Sequence, residues 1–551
     1  MPAPLTLAQI SAQQARGLGS GFMLDDWIVL GGYFLILAIS GYWLSRRSAG
    51  TTEAYFLGGR QIPAWAVAIS IVATSLSAVT FIGVPQGSYN NNLTYLATNI
   101  GMIIAATMIA FGFLPMFYRL NSASIYVVLE IRYGSGARKA ASVMFLIGRT
   151  LASGARIYAG AIPASILLFG LERGMEPANL ITAIALLSIV GIVYTLAGGI
   201  SSVIWSDVIQ FGILIGAALI AIVLIAGSFT APASDILTQL QTGGPDGTSK
   251  LKLFDWSFDQ THSFSIPACV IGFTILGIGS YGTDQDLAQR MLTCKSAKQG
   301  AWSVISGILL GIPTVAIFLT VGLMLWVVYQ RPELTSLGAD APTGDTVTVF
   351  LHYIMTQLPA GVRGLMMAGL FAAGLSSLNS AINAMSAAFV SDIYRPLATA
   401  RSNSTLDDKH FVKVGRFAVV GWGLVLGGFA CVCIFWRSNN NETLINFALG
   451  VMGIAYAGLV GVFFTALFTK RGSTMSIIAG LIAGFVWMVC SQGFFYRGVG
   501  LDRIHAPRYE AYYSIHFTWK LTYGVLLSTT ICLLGTQPSK PSADLAAPRD
   551  A

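Results

Sequence analysis

Apolar residues in this chain fall into long runs separated by short polar stretches, and the runs can be measured against the thickness of a bilayer. Taking about 20 apolar residues as one crossing, the pattern predicts thirteen spans, numbered here from zero. They lie at 27–44, 65–89, 95–118, 140–171, 179–196, 203–225, 264–282, 300–329, 361–390, 414–436, 444–468, 475–494 and 515–534. The stretches between them are short, so no extramembrane catalytic module is expected.

Two runs carry polarity in their interior. Span 1 has Thr74, Ser75, Ser77 and Thr80 at mid-span, followed by Gly83, Pro85 and Gly87. Such a helix is expected to open, and its freed carbonyls then need a partner that lipid cannot supply. A cation is one such partner. Interrupted helices near the midplane are how secondary transporters hold a coupling ion beside a substrate. The plainer alternative is that these hydroxyls bond back to carbonyls of their own helix. Span 6 is expected to break in the same way at Gly277-Ile278-Gly279-Ser280-Tyr281-Gly282, giving matching interruptions in spans 1–5 and 6–10. Glycines in membrane helices also serve close packing.

On span 8, Ala373, Ser376, Ser377 and Ser380 share one helical face. Two hydroxyls with a few carbonyls would suit sodium, a hard cation that prefers oxygen. Alternatively the stripe lets two helices approach closely. Asp207 lies just inside span 5, where an ionisable group defaults to a functional position; the alternative is an interfacial carboxylate paired with a cytoplasmic Lys or Arg. A neighbouring cation would keep it ionised. Without one it would take up a proton, so sodium and proton both stay open as the coupling ion. Arg149 and Arg156, seven residues apart on span 3, offer donor forks to an anionic substrate or pair structurally within the bundle. Asp284, Gln285, Asp286, Gln289 and Arg290 read as a polar helix end rather than an ion path, and Asp392 as a cytoplasmic helix terminus.

Composition agrees with an all-α integral membrane protein: 54% of residues are hydrophobic and 10% charged, against about 25% charged in soluble domains. The net charge of +8 would suit nucleic acid, but Lys and Arg sit in short loops, where they set orientation instead. Nineteen of the 32 fall on one side of the predicted map, which is therefore read as cytoplasmic. An odd number of spans then puts the N-terminus outside and the C-terminus inside a plasma membrane. The six cysteines have no metal or disulfide spacing. The first twenty residues lack the pattern of a cleaved signal peptide, and 540–551 is expected to be a disordered cytoplasmic tail.

Several stretches together resemble the sodium:solute symporter family across spans 0 to 10. They are Tyr55-Phe56-Leu57-Gly58-Gly59-Arg60 through Pro63 and Trp65, the Ala73 to Gly83 run, Gly198-Gly199 to Asp207-Val208-Ile209-Gln210, Asp284-Gln285 to Gln289-Arg290, and Phe371 to Tyr394. The resemblance implies a leucine-transporter-type fold of two inverted five-helix repeats in one transmembrane domain, 1–539. The repeats would be 65–228 and 264–468, with an extra helix at 25–45 and two C-terminal helices within 475–534. It implies a sodium site on the carbonyls of Ala73, Leu76 and Ala373 and the hydroxyls of Ser376 and Ser377. Asp207 matches an acidic residue near that site that is sometimes associated with a second sodium.

For the solute, Ser75, Ser77 and Thr80 match hydroxyls that bind the substrate carboxylate in bacterial sialic acid symporters, and Tyr95 and Asn99 fall at pocket positions. The span 3 arginine of those symporters falls on Ala152, one turn from Arg149 or Arg156. Sugar transporters of the family typically have Gln and Glu in place of Thr80 and Asn99. The implied activity is sodium-coupled import of a small polar organic solute by alternating access, with an organic acid such as sialic acid first and a sugar or polyol second. No covalent chemistry and no cofactor beyond the coupling ion is implied. A sensor that keeps the fold without net flux would be expected to carry a signalling domain. A membrane enzyme would need convergent reactive groups, yet His262, His352, His410, His505 and His516 are scattered.

Overall fold

The computed structural model describes residues 22–45, 51–120, 122–244, 247–337, 348–401, 407–438, 444–492 and 515–536. The expectations for the first twenty residues and for 540–551 lie outside that set. Among the described residues, ten helices are long and apolar enough to cross a bilayer unaided. Three further apolar segments bring the spans to the expected thirteen: the pair Ala64–Ser75 and Ala78–Asn90, then Ala268–Thr283, then Thr474–Cys490.

Packing partners are exchanged when each span number is raised by five. Span 1 packs on span 7 as span 6 packs on span 2. Gly191 of span 4 and Ala217 of span 5 both lie against span 8, just as Phe429 of span 9 and Ala455 of span 10 lie against span 3. That exchange is what two five-span repeats would give. Spans 8 and 10 bury 89% of their most apolar windows and span 3 buries 78%, whereas spans 0 and 5 bury only 28% and 33%. Spans 3, 8 and 10 therefore form the centre. The outer spans turn residues such as Ile39 and Val223 outward, where a bilayer rather than water suits them.

Two local devices position the centre. The helical run Pro177–Gly227 is folded into spans 4 and 5 at Gly199, whose φ of 60° favours glycine and whose Cβ, if present, would lie 2.5 Å from the Tyr55 carbonyl oxygen. Asp207 then sits two turns into span 5. On the other side, Asp26 of span 0 accepts hydrogen bonds from the Gly361 and Gly364 amides at 2.8 and 2.9 Å and pairs with Arg363 Nε at 3.2 Å. A carboxylate from the first span thus caps the start of span 8.

Span 6 departs from the expected break. Gly277–Gly282 does not open; the chain stays helical there, with wide π turns over Ala268–Gly272 and Ile278–Thr283. The backbone leaves the helix only at Asp284, where ψ is 123°, before Gln285–Met291 resumes. The physical reason is packing. A Cβ on Gly277 would sit 2.6 Å from that of Ala105, and one on Gly279 would press on the Tyr456 ring at 2.8 Å. These glycines admit neighbours rather than terminate the helix.

Candidate functional site

Span 1 opens as its sequence predicts. Ala64–Ser75 ends, Leu76 and Ser77 are extended, and Ala78–Asn90 begins with Ser77 and Thr80 forming a reciprocal cap. The Ser77 amide donates to Thr80 Oγ1 at 3.3 Å. Carbonyls near the break are left without helical partners and are met from other spans. Ser377 Oγ, on span 8, donates to the Leu76 carbonyl at 3.0 Å and to that of Thr74 at 3.2 Å. Arg156 Nη1 also reaches the Thr74 carbonyl, at 3.2 Å. Ala73, in the last turn before the break, and Ala373, one turn before Ser377, are both buried. The break is therefore met by the Ser377 hydroxyl on one side and the Arg156 guanidinium on the other.

The neighbouring hydroxyls on span 8 serve a carboxylate. Ser376 Oγ donates to Asp207 Oδ1 at 2.6 Å, and Ser70 Oγ to Oδ2 at 2.5 Å. Arg290 Nη2 lies 3.3 Å from Asp207 Oδ2 and also donates to Ser380 Oγ. Ser380 in turn touches Thr74 Oγ1 at 3.3 Å. Asp207 and Arg290 are both fully buried, so the carboxylate is paired with an arginine away from water. The short helix Gln285–Met291, read from sequence as a polar helix end, is buried along its whole length and supplies that partner. Asp392, read as a cytoplasmic helix terminus, is buried, pairs with Arg138 at 2.7 Å and accepts from Ser124 Oγ at 2.8 Å.

The two arginines of span 3 face one cavity but differ in their partners. Arg149 is committed: Nη1 pairs with Asp284 Oδ2 at 3.1 Å and Nη2 with Asp286, while Tyr456 donates to Asp284 at 2.8 Å. Arg156 is half-buried and, among the described residues, has no ion-pair partner. Its second donor nitrogen points to Met452 Sδ at 3.2 Å. The cavity beside it is also lined by Ser75, Thr80, Tyr95 and Asn99, and Ser77 lines an adjoining space shared with Arg156 and Thr80. The expected residues thus divide between two regions joined at the break: Ala73, Leu76, Ala373 and Ser377 on one side, and Ser75, Ser77, Thr80, Tyr95, Asn99 and Arg156 on the other. Ser376 and Asp207 sit behind the first, and Arg149 closes the second against span 6.

Residues that the sequence reading did not assign also line the cavity. Tyr281 bonds to Ser75 Oγ at 2.9 Å, and Ser280, Met452 and Tyr456 face the same space. A tyrosine and a serine amid the glycines of span 6 were the available signal. Nothing in this constellation joins a nucleophile to a general base. What it presents is backbone oxygens, hydroxyls and one guanidinium, that of Arg156, without an ion-pair partner among the described residues.

The sequence model of the sodium:solute symporter family matches residues 55–484. The chain belongs to the sodium:solute symporter family. It is therefore one of a family of transporters, not of enzymes. The sodium/sialic acid symporter SiaT of Proteus mirabilis is 30% identical over 493 residues, covering 87% of this chain and 92% of that protein. The human sodium-coupled monocarboxylate transporter 1 is 29% identical over 479 residues, covering 85% and 73%. Among solved structures, a sodium-coupled sialic acid symporter in a substrate-bound outward-open state superposes with a TM-score of 0.75 at 27% identity, over 96% of this chain and 99% of that one. The nucleobase-cation-symport transporter Mhp1, at 12% identity and a TM-score of 0.51 over 87% and 92% of the two chains, shares the fold alone. This symporter has the leucine-transporter-type fold.

Proposed function

We propose that this symporter uses inward movement of sodium to import a small organic anion, with Leu76 and Ser377 at the centre of the ion site and Arg156 receiving the carboxylate. The observation that carries the reading is the contact of the Ser377 hydroxyl with the carbonyls freed at the break in span 1. Ala73 and Ala373 would complete a neutral cage, and Ser75, Ser77, Thr80, Tyr95 and Asn99 would surround the solute.

Charge supports the coupling. Arg149 and Arg290 pair with Asp284, Asp286 and Asp207, and Arg156 reaches the Thr74 carbonyl in the same region, so three fixed cations there balance three fixed anions. An anion alone, or sodium alone, would leave one charge uncompensated away from water, which is costly. Together they restore neutrality. Each should therefore tighten binding of the other, with couplings of this kind about 5- to 150-fold. Differential binding of this sort shifts the population between outward- and inward-facing states. The repeats are assigned to 65–228 and 264–468, and the loops richer in Lys and Arg to the cytoplasm, with the N-terminus outside.

Purified protein in liposomes tests the reading. An inward sodium gradient should accumulate a labelled carboxylate, and replacing sodium with choline should abolish accumulation. Uptake that survives choline and follows an imposed pH gradient would overturn sodium coupling.

A further inference from the structure

We infer that the start of span 9 is a binding face for an anionic phospholipid of the leaflet on the side read as cytoplasmic. The helix Asp408–Ser438 carries Lys409, Lys413 and Arg416, at spacings of four and three that place them on one face. All three are exposed. The exposed side then continues as hydrocarbon, with Phe417 at 68%, Leu424 at 64% and Phe435 at 59%. That stripe suits lipid tails, so the cations stand where tails end and headgroups begin. Lys409 and Arg416 are about 10 Å apart along the axis, enough to cross a headgroup layer of about 5–8 Å.

Charge selects the kind of lipid. Asp408, the acidic residue of the helix's first turn, is engaged elsewhere: it lies 3.4 Å from Arg395 and accepts from Thr52 Oγ1 at 3.2 Å. Asp407 lies ahead of the helix. Among the described residues, no carboxylate is within ion-pair distance of Lys409, Lys413 or Arg416. Lysine stems can lie along the apolar surface with their ammonium groups among the headgroups, and Arg416 offers a fork of donors to a phosphate. A zwitterionic lipid brings its own cation and gains less from this face. Each cation near an anionic surface is expected to strengthen binding about fivefold. Lys298, the single cation of the helix Ala297–Gln330, is exposed one turn before the exposed Trp302 and provides a comparison with one charge instead of three.

Fluorescence polarisation of tail-labelled phosphatidylglycerol and phosphatidylcholine, titrated with the full chain in detergent, tests the inference. Phosphatidylglycerol should bind at least about 10-fold more tightly than phosphatidylcholine. In K409Q/K413Q/R416Q the two lipids should come within about twofold of each other. The charge-preserving K409R/K413R/R416K and the distant Lys298→Gln should keep the preference. Added choline chloride should erode it by screening. Equal affinity for the two lipids in the unsubstituted protein, or a preference undiminished in the triple glutamine variant, would overturn the inference. Displacement of the labelled lipid by inorganic phosphate would assign the face to a soluble anion and overturn it as well.

Discussion

Ser377 on span 8 donates its hydroxyl to the Leu76 carbonyl across the break in span 1, at 3.0 Å. In an intact helix the Leu76 carbonyl would be satisfied within its own strand of turns. Here a second helix supplies the partner, so the contact ties together two elements from different halves of the molecule.

Replacing that hydroxyl should weaken the ion site selectively. Ser377→Ala is expected to raise the sodium concentration for half-maximal uptake about 10-fold, corresponding to loss of roughly 1.4 kcal/mol. Sodium titration of solute uptake in proteoliposomes checks this. A half-saturation value matching the unsubstituted protein would remove Ser377 from the ligand set.

The two arginines of span 3 should separate by assay. Arg156→Gln is expected to raise the half-saturating solute concentration by about 10-fold or more through loss of a charged hydrogen bond, with little effect on folding. Arg149→Gln leaves Asp284 and Asp286 without their shared cation, a change expected to destabilise the fold by about 3–5 kcal/mol. Thermal unfolding in detergent alongside solute titration distinguishes them, and the opposite pattern would interchange their roles.

Asp207 and Arg290 are predicted to be strongly coupled. Asp207→Asn and Arg290→Gln should each lower thermal stability, and the double variant should lose less than the two losses combined, because neither charge is then stranded. Additive losses would mean that the 3.3 Å pair contributes no interaction of its own.

Lys250, in the loop after span 5, predicts a pH effect. Its Nζ donates to the Tyr89 and Asn91 carbonyls at 2.7 and 3.0 Å at the end of the second half of span 1, and lies over the Trp326 ring. Burial lowers its pKa from 10.5 to about 8. Between those values the unfolded chain binds the proton more strongly, so this group's contribution makes native stability rise with pH from about 8 upward. Melting temperatures measured from pH 7.5 to 9.5 should show a rise in the unsubstituted protein that is missing in Lys250→Met. Parallel curves for the two proteins would refute the assignment.

The break in span 1 was legible because its cause is local: Thr74, Ser75, Ser77 and Thr80 put hydroxyls where a lipid-facing helix would carry hydrocarbon, and Ser77 with Thr80 has the spacing of a helix start. The stripe at Ser376 and Ser377 was legible through helical periodicity. Gly277–Gly282 misled because glycine has two uses, and only the positions of Ala105 and Tyr456 show that here it admits a neighbour. Arg290 and the segment from Asp284 read as a polar helix end because burial is not written in seven residues. It is imposed by Arg149, Asp207 and Tyr456, which lie far away in the chain. For the same reason Arg149 and Arg156, alike in type and on one face, could not be told apart until the carboxylates opposite them were placed.

The clasp between Asp26 and the start of span 8 makes the first helix more than an appendage to the repeats. If span 8 tilts as sodium enters and leaves, span 0 must travel with it, so its lipid-exposed surface is a natural place to attach a reporter. A fluorophore at Ile39 would then signal rearrangements around the ion without touching any residue that handles the cargo.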